Sequence, residues 1–247
     1  MDRFNLLNFD KTTLAEMNSV SLMKRVDTKF ILNESQLLEV LSKLYDDYKI
    51  LEIDQERLMK YSTLYFDSQN KKCFKDHHNG KLNRYKIRMR KYLVSDICFL
   101  EIKKKNNLGV TNKIRRQIKD FETDLSLESK EFIREDGNIN NLLLEPSLYN
   151  NFSRMTLVNK NESERITIDV DLSFTFGGDE KKFDKLVVVE IKQEGKRLNT
   201  TINRALKSMS LLPTNFSKYC IGISNIINDI KSNRFKEINL KINKLNN

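Results

Sequence analysis

Charged and apolar residues alternate along much of the chain, which is typical of β-strands with one polar face. Six segments show this alternation: YSTLYFD, RYKIRMRKY, CFLEIKKK, TNKIRRQI, RITIDVDL and KLVVVEIKQ. Apolar residues at helical spacing instead predict helices near residues 34–47, 125–135 and 200–212, with another after Phe216. The pattern as a whole predicts an α+β protein with an antiparallel sheet.

The alternation also predicts which side chains share a strand face. Lys86, Arg88 and Arg90 fall on one face of their strand. Four more strands give shared faces to Glu101 and Lys103, Lys113 and Arg115, Arg165 and Asp169, and Glu190 and Lys192. We expect the opposite faces to be apolar and to pack beneath helices, with Phe99, Leu100, Ile102, Ile166, Ile168, Val189 and Ile191 as members.

Two interpretations of these charged faces are open. A polar face turned to water is the usual fate of charges in an antiparallel sheet. If the sheet instead closes into a barrel, the charges line its interior, and so many cations there require an anionic ligand. Repetition of the pattern in five strands favours the second interpretation.

Composition agrees with an anionic partner. The chain has 247 residues, with 44 Lys and Arg against 34 Asp and Glu, and a formal net charge of +10. Nucleic acid, lipid headgroups and polyphosphate are all compatible with that charge. Because no linker or repeat divides the chain, we expect a single domain over residues 1–247, with a helical or frayed tail over 229–247.

Other sequence features point to a cytoplasmic protein. The chain has no leader-like start and no run of about 18 apolar residues, so we expect no membrane segment. Cys73, Cys98 and Cys220 match no zinc or disulfide framework, which favours reduced thiols. His77 and His78 are interpreted as a surface loop rather than a metal site.

Three carboxylates lie among the cations of the predicted strands. Glu101, Asp169 and Glu190 supply hard oxygen ligands of the kind that Mn²⁺ and Mg²⁺ prefer. Cations together with a divalent metal are typical of phosphoryl chemistry.

Seven short motifs occur in one order along the chain: RVDTKF (25–30), STLYFD (62–67), KIRMR (86–90), FLEIK (99–103), RITID (165–169), VVEIK (188–192) and FSKY (216–219). In this order they resemble the triphosphate tunnel metalloenzymes and, among these, the polyphosphate polymerase (VTC) domain of the vacuolar transporter chaperone. The resemblance spans about residues 20–224. It implies an antiparallel eight-stranded β-barrel tunnel flanked by helices.

The resemblance also implies roles for individual residues. It matches the family's phosphate-binding cations to Lys29, Arg88, Arg90, Lys103, Lys113, Arg154 and Arg165, and the metal-binding glutamate to Glu190. Of these, Arg88, Arg90, Lys103, Arg154 and Arg165 are the expected catalytic cations. Ser217 and Lys218 match a pair that reaches phosphate from a helix start. The strand faces add Lys86, Arg115 and Lys192 as phosphate-binding candidates, and Glu101 and Asp169 as further candidate metal ligands.

One departure favours the polymerase branch. Related triphosphatases carry Glu-x-Glu-x-Lys where this chain has Arg25-Val26-Asp27-Thr28-Lys29, which lacks one carboxylate. The expected activity is transfer of the ATP γ-phosphoryl group to a growing polyphosphate chain, with Mn²⁺ or Mg²⁺ as cofactor.

Two alternatives remain at this point. The first is a tunnel triphosphatase that hydrolyses inorganic or nucleotide triphosphate. The second is a non-catalytic polyanion-binding module, because NRYKIRMRKY interleaves aromatic residues and cations as single-strand binders do. We expect ATP and polyphosphate as partners rather than nucleic acid, and the sequence indicates no oligomeric state.

Overall fold

The computed structural model describes residues 3–19, 25–161, 163–195 and 199–246. Its strands are β1 (Asp10–Thr12), β2 (Arg25–Asn33), β3 (Tyr48–Leu51), β4 (Met59–Asp67), β5 (Arg84–Tyr92), β6 (Ile97–Lys105), β7 (Thr111–Ile118), β8 (Glu145–Asn159), β9 (Glu164–Phe176), β10 (Asp179–Phe183) and β11 (Leu186–Glu194). Its helices are α1 (Leu14–Ser19), α2 (Glu34–Ser42), α3 (Lys72–His78), α4 (Leu127–Arg134), α5 (Thr201–Ser208), α6 (Lys218–Ile226) and α7 (Lys236–Asn246). Two 3₁₀ turns, Leu6–Asn8 and Asn233–Phe235, complete the described elements.

All eleven strands form one sheet. Its main path runs in the order β2-β11-β9-β8-β4-β5-β6-β7, and every pair along it is antiparallel. The remaining strands attach beside this path: β10 pairs with β9, β3 pairs with β8, and β1 pairs in parallel with β3. The predicted α+β architecture with an antiparallel sheet and flanking helices is confirmed.

The predicted closed barrel of eight strands is wrong, because the sheet is not closed and has eleven strands. Strands β8 and β9 have 15 and 13 residues and overhang their neighbours, and the overhangs pair with β3 and β10. The path ends at β2 and β7, and β7 is almost wholly exposed with cations at Lys113, Arg115 and Arg116. Charged side chains on an edge strand disfavour further strand pairing.

The outer face of the sheet is apolar and covered by helices. Side chains of α2 and α5, among them Leu37 and Leu206, pack with Ile166 and Ile191 of the sheet. Helix α4 packs on the outer face of β5 and β6 in the same way, through Phe132 and Ile133. Phe99 was predicted to join these apolar faces, and this is wrong. The register pairs Phe99 with Arg90, so the ring lies on the charged face.

Helix α6 lies instead against the inner face, at an apolar end formed mainly by β8 and β9. Its Gly222 faces Leu148 and Phe174 so closely that a Cβ at this position would lie 2.5 Å from each side chain. The close approach requires glycine. As a result the start of α6, with Ser217 and Lys218, is placed beside the charged part of the inner face.

The four predicted helices are all present, and the three with predicted bounds are shorter than expected. Helix α2 begins at a reciprocal capping box, in which the Gln36 amide donates to Asn33 Oδ1 at 2.9 Å and the Asn33 amide donates to Gln36 Oε1 at 3.0 Å. The tail carries α7, and Phe235 and Ile242 of this region are buried in the core beside α6.

The histidine pair and the cysteines lie in the core or at its border. His77 and His78 end α3, and His78 is buried with Nε2 2.8 Å from Asn233 Oδ1, so the predicted surface loop is wrong. Cys73, Cys98 and Cys220 are buried free thiols, as the sequence predicts.

Candidate functional site

The first cluster of the inner face forms around Glu101. The register places Glu101 directly opposite Arg88 of β5 and next to β7. Arg88 donates to Glu101 Oε2 from Nε at 2.8 Å and from Nη2 at 2.6 Å, and Lys113 pairs with the other oxygen. Burial alone would raise the pKa of Glu101, but Arg88, Arg90 and Lys113 hold it well below its usual range. Glu101 is therefore an ionised counter-ion of two cations.

Asp169 organises a second cluster. Arg154, its cross-strand neighbour, donates two hydrogen bonds to the carboxylate, from Nε at 2.5 Å and from Nη2 at 2.8 Å. Lys218, at the start of α6, pairs with Oδ2 of the same carboxylate. The two cations keep the pKa of Asp169 low despite its burial. Asp169 thus joins a strand residue to the FSKY motif, which lies far away in sequence.

Glu190 organises the third cluster, on β11. Lys192 Nζ lies 2.9 Å from Oε2, and Lys29 Nζ of the neighbouring β2 lies 3.9 Å from Oε1. Lys192 and Lys29 lower the pKa of Glu190 well below its usual range, against the effect of burial. Each predicted carboxylate therefore has two cations around it.

The start of α6 combines a helix cap with contacts to cations. Ser217 Oγ accepts from the Cys220 amide at 3.4 Å, which is an N-cap, and also from Lys86 Nζ at 3.0 Å. Lys29 Nζ donates to the Phe216 carbonyl at 3.3 Å. The positive end of the helix adds to this cationic surrounding. The structure thus brings Ser217 and Lys218 together with Lys86 and Lys29.

Arg90 and Lys103 lie among these clusters without a carboxylate of their own. Arg90 donates to Thr63 Oγ1 at 3.2 Å, and its guanidinium lies 5.4 Å from the Phe152 ring centroid. Nearby Arg88, together with burial and Arg90, lowers the pKa of Lys103 to about 6. Within the described residues no carboxylate lies within ion-pair distance of either cation.

Two contacts at the start of α6 reveal the curvature of the sheet. Lys29 of β2 and Lys86 of β5 are five strands apart along the path, about 24 Å in a flat sheet. Lys29 Nζ nevertheless lies 3.3 Å from the Phe216 carbonyl oxygen, and Lys86 Nζ lies 3.0 Å from Oγ of the adjacent Ser217. The sheet therefore curls, and the inner face is concave although the sheet does not close.

Two predicted site residues lie apart from the clusters. Arg165 is on the inner face, but its Nη2 donates to the Met17 carbonyl of α1 at 2.7 Å. Arg115 is exposed on the edge strand, with its guanidinium 4.6 Å from the Phe99 ring centroid. Sequence reasoning also missed three aromatic and hydroxyl neighbours of the arginines, which are Tyr61, Thr63 and Phe152. These three residues lie on strands at alternate positions, as the cations do. The same alternation could therefore have placed them on the inner face.

The three carboxylates of the inner face differ in how accessible they are to a divalent metal. In the described part of the chain, no three His, Cys, Asp or Glu side chains come together as a metal cage. The side chain of Glu190 is 20% exposed, whereas those of Glu101 and Asp169 are 0% and 4% exposed and are enclosed by cations. Mg²⁺ is commonly held by one or two carboxylates plus substrate phosphates. The residues fit a metal held by Glu190 together with phosphate oxygens.

The family of the chain follows from its sequence match. The model of the VTC domain covers residues 24–227, which is most of the chain. The chain belongs to the VTC domain family. The resemblance predicted from the seven motifs is confirmed over nearly the same range, of which residues 20–24 lie outside the described residues. A search of the curated proteins finds no match.

Two solved structures are similar in fold to this VTC domain. A putative adenylate cyclase from Bacillus halodurans superimposes with a TM-score of 0.52 and 15% identity, over 78% of this chain and 94% of the other. A putative adenylyl cyclase from Hippeastrum, described as having a dominant triphosphatase activity, gives a TM-score of 0.49 and 14% identity, over 83% and 98%. At such identity the first likeness shows the shared fold alone.

Among the described residues of the VTC domain, no helix is both long and apolar enough to cross a bilayer.

Proposed function

We propose that this VTC domain is a metal-dependent polyphosphate polymerase, which transfers the γ-phosphoryl group of ATP to the end of a polyphosphate chain. The observation that carries the proposal is the convergence of cations on the concave inner face, most of them within the family motifs. The members that the clusters bring together are Lys29, Lys86, Arg88, Arg90, Lys103, Lys113, Arg154, Lys192 and Lys218. Only a ligand with several negative charges matches this density of cations.

Positioning is the first task of these residues. Arg88 and Arg154 have their guanidinium planes fixed by Glu101 and Asp169, so their remaining N–H groups are preorganised for phosphate oxygens. Lys218 is fixed by the same Asp169 and by the helix that it begins. Fixed donors lose little freedom when the substrate binds, and this favours alignment of the donor and acceptor phosphates.

Charge neutralisation is the second task. The transferred group spreads negative charge over its oxygens, and the cations of the inner face stabilise that charge. A terminal phosphate acceptor is already ionised, so the transfer needs no side chain to remove a proton, whereas hydrolysis needs an oriented water. A divalent metal, when held by Glu190 and phosphate oxygens, supplies further neutralisation of the transferring phosphoryl group.

Incubation of the purified protein with ATP and Mn²⁺ tests the proposal. We expect polyphosphate that is detectable on a gel and grows with time. Release of orthophosphate without chain growth would instead identify a triphosphatase. Binding of polyanions that survives metal removal, with no turnover of ATP, would identify a non-catalytic module.

A further inference from the structure

A second group of positive charges lies at one end of the inner face, where β5 begins and β6 ends. We call it the end cluster and define it as Arg84 and Lys105, with the neutral His77 beside them. The register places Arg84 directly opposite Lys105, and the next pair on this face is Lys86 opposite Lys103. Like charges directly opposite each other destabilise a sheet. The pairing therefore needs a reason other than the stability of the free protein.

The end cluster lacks the carboxylates that balance the rest of the inner face. In the described parts of the chain, Arg84, Lys86 and Lys105 have no Asp or Glu within ion-pair distance. Lys86 donates to Ser217 Oγ, and Arg84 donates to the Lys81 carbonyl at 2.7 Å. These three cations are half-buried rather than extended into solvent. Such a group retains its charge most easily beside an anion.

His77 belongs to α3, which packs against β5, and it has an unused polar atom. Its Nδ1 is buried and has no hydrogen-bond partner among the described residues. Burial lowers the pKa of His77 to about 3, and the fields of Lys86, Arg84 and Lys105 add to the effect. The neutral ring therefore faces a cationic surrounding, and a bound anion would supply the missing charge.

The end cluster is too far along the strand to belong to the triphosphate site. Arg84 is four residues from Arg88 on the same face of β5, which corresponds to about 13 Å. Lys86 lies between them and continues the row of cations. A triphosphate at Arg88 and Arg90 does not extend over this distance, but a longer chain of linked phosphates does.

We propose that the end cluster is a second phosphate-binding subsite, which holds the part of a linear polyphosphate chain that extends beyond the triphosphate site. This assignment rests on the proposed function, since it takes polyphosphate as the ligand of the inner face. Arg84 and Lys105 contact the chain in this subsite. The subsite gives the domain a preference for long chains over short ones.

Equilibrium binding without turnover tests the assignment, with tripolyphosphate and a long-chain polyphosphate as probes. The test variant is Arg84→Gln with Lys105→Gln. Its matched control is Lys104→Gln with Lys119→Gln, which removes the same charge. Lys104 alternates with Lys105 on β6 and contacts the Tyr85 ring on the outer face, and Lys119 is exposed. Melting temperatures of all proteins show whether they are folded.

We expect the test variant to bind the long chain about tenfold or more weakly, while its affinity for tripolyphosphate and that of the control stay near wild type. The slope of log affinity against log salt for the long chain should fall by about 1 for each lost contact. An unchanged affinity for the long chain overturns the assignment. So does an equal loss for both probes, or an equal loss in the control.

Two further outcomes separate the possible failures. If the wild-type protein binds neither probe, the proposed function fails together with the subsite. If it binds tripolyphosphate and makes polyphosphate, but the test variant binds the long chain normally, only the subsite is wrong. A single-stranded oligonucleotide that binds as tightly as the long chain, with the same dependence on Arg84 and Lys105, would overturn polyphosphate as the ligand of the subsite.

Discussion

The two parts of the inner face treat positive charge in opposite ways. Around Glu101, Asp169 and Glu190, each carboxylate has two cations, so the cations are fixed and partly neutralised in the free protein. In the end cluster, Arg84 and Lys105 oppose each other directly with no carboxylate between them. The first part is preorganised for the proposed substrate, whereas the charge of the second would be balanced only by the proposed anionic ligand. The comparison shows that two groups with similar numbers of cations can differ in how far their charge is already neutralised.

The largest effect is expected from breaking a balanced cluster. Asp169→Asn leaves Arg154 and Lys218 without their counter-ion in a buried place, and we expect a loss of about 3–5 kcal/mol in the free energy of unfolding. Urea denaturation measures it. The control is Asp120→Asn, since Asp120 pairs with Lys91 at 2.8 Å on the surface and should cost less than about 1 kcal/mol. Similar losses in the two variants would show that the cluster has no special importance.

Glu190→Gln should affect activity more than stability. The side chain keeps its shape but loses the charge that attracts the metal, so we expect metal-dependent turnover to fall by about a hundredfold or more, equivalent to about 2.7 kcal/mol. Its partial exposure makes the stability loss smaller than that of Asp169→Asn. Steady-state assays over a range of Mn²⁺ concentrations measure the effect, with the exposed Glu194→Gln as control. Wild-type turnover in Glu190→Gln would exclude it as the essential ligand.

Lys218→Ala should reduce turnover by about tenfold or more, because a charge-assisted contact to phosphate contributes about 1.5–3 kcal/mol. Lys218→Arg should restore it only in part, since a planar fork replaces a compact charge. Ser217→Ala should be milder, at about 1 kcal/mol. Turnover at saturating and limiting ATP measures all three. If Lys218→Ala is as active as wild type under both conditions, the lysine serves only as a counter-ion of Asp169.

Lys86 allows a proton-linked measurement. Burial lowers the pKa of Lys86 to about 8, and Lys29, Arg88 and Arg84 add to the effect. At about pH 9 the free amine is mostly neutral, and a bound polyanion raises its pKa towards the ordinary value, so binding should take up protons. Calorimetric titration of tripolyphosphate in two buffers with different ionisation heats measures the uptake. It should be smaller in Lys86→Met, and equal uptake in both proteins would contradict the prediction.

The smallest effect is expected at the end cluster itself. Arg84→Gln removes one of two opposed cations, so the free protein should become slightly more stable, by about 0.2–1 kcal/mol. Thermal unfolding without phosphate measures this, with Lys104→Gln as control. Excess long-chain polyphosphate should reverse the order, because the wild-type protein then gains more from the ligand. A variant less stable than wild type in both conditions would show that Arg84 supports the fold.

The alternation of charged and apolar residues was the sequence feature that predicted most of the sheet and of the candidate site. It placed Arg88, Glu101 and Glu190 on one face of the sheet, since the period of two depends only on local geometry. The alternation could not predict which distant segments contact each other. The contact of Lys218 with Asp169 depends on where α6 packs. The openness of the sheet and the three added strands depend on strand lengths and edges, which local periodicity does not encode.

His77 shows the same limit at the level of one residue. The sequence indicated only a pair of histidines without metal-ligand spacing, and a surface loop was the simplest interpretation. Its surroundings come from β5, β6 and β2, whose cations act on the ring only after folding. Motif comparison could not help, because none of the seven motifs includes a residue of α3.

Gly222 determines how closely α6 packs against the inner face. At Gly222 the backbone of α6 packs directly against the Leu148 and Phe174 side chains, with no room for a Cβ atom between them. Lys218 belongs to the same helix. The size of the side chain at position 222 therefore determines how far the Lys218 amine projects into the concavity. An alanine or a serine at position 222 would push the helix outward and move the Lys218 amine away from Asp169. The position of the Lys218 amine in the proposed phosphate site therefore depends on the absence of a Cβ atom at position 222.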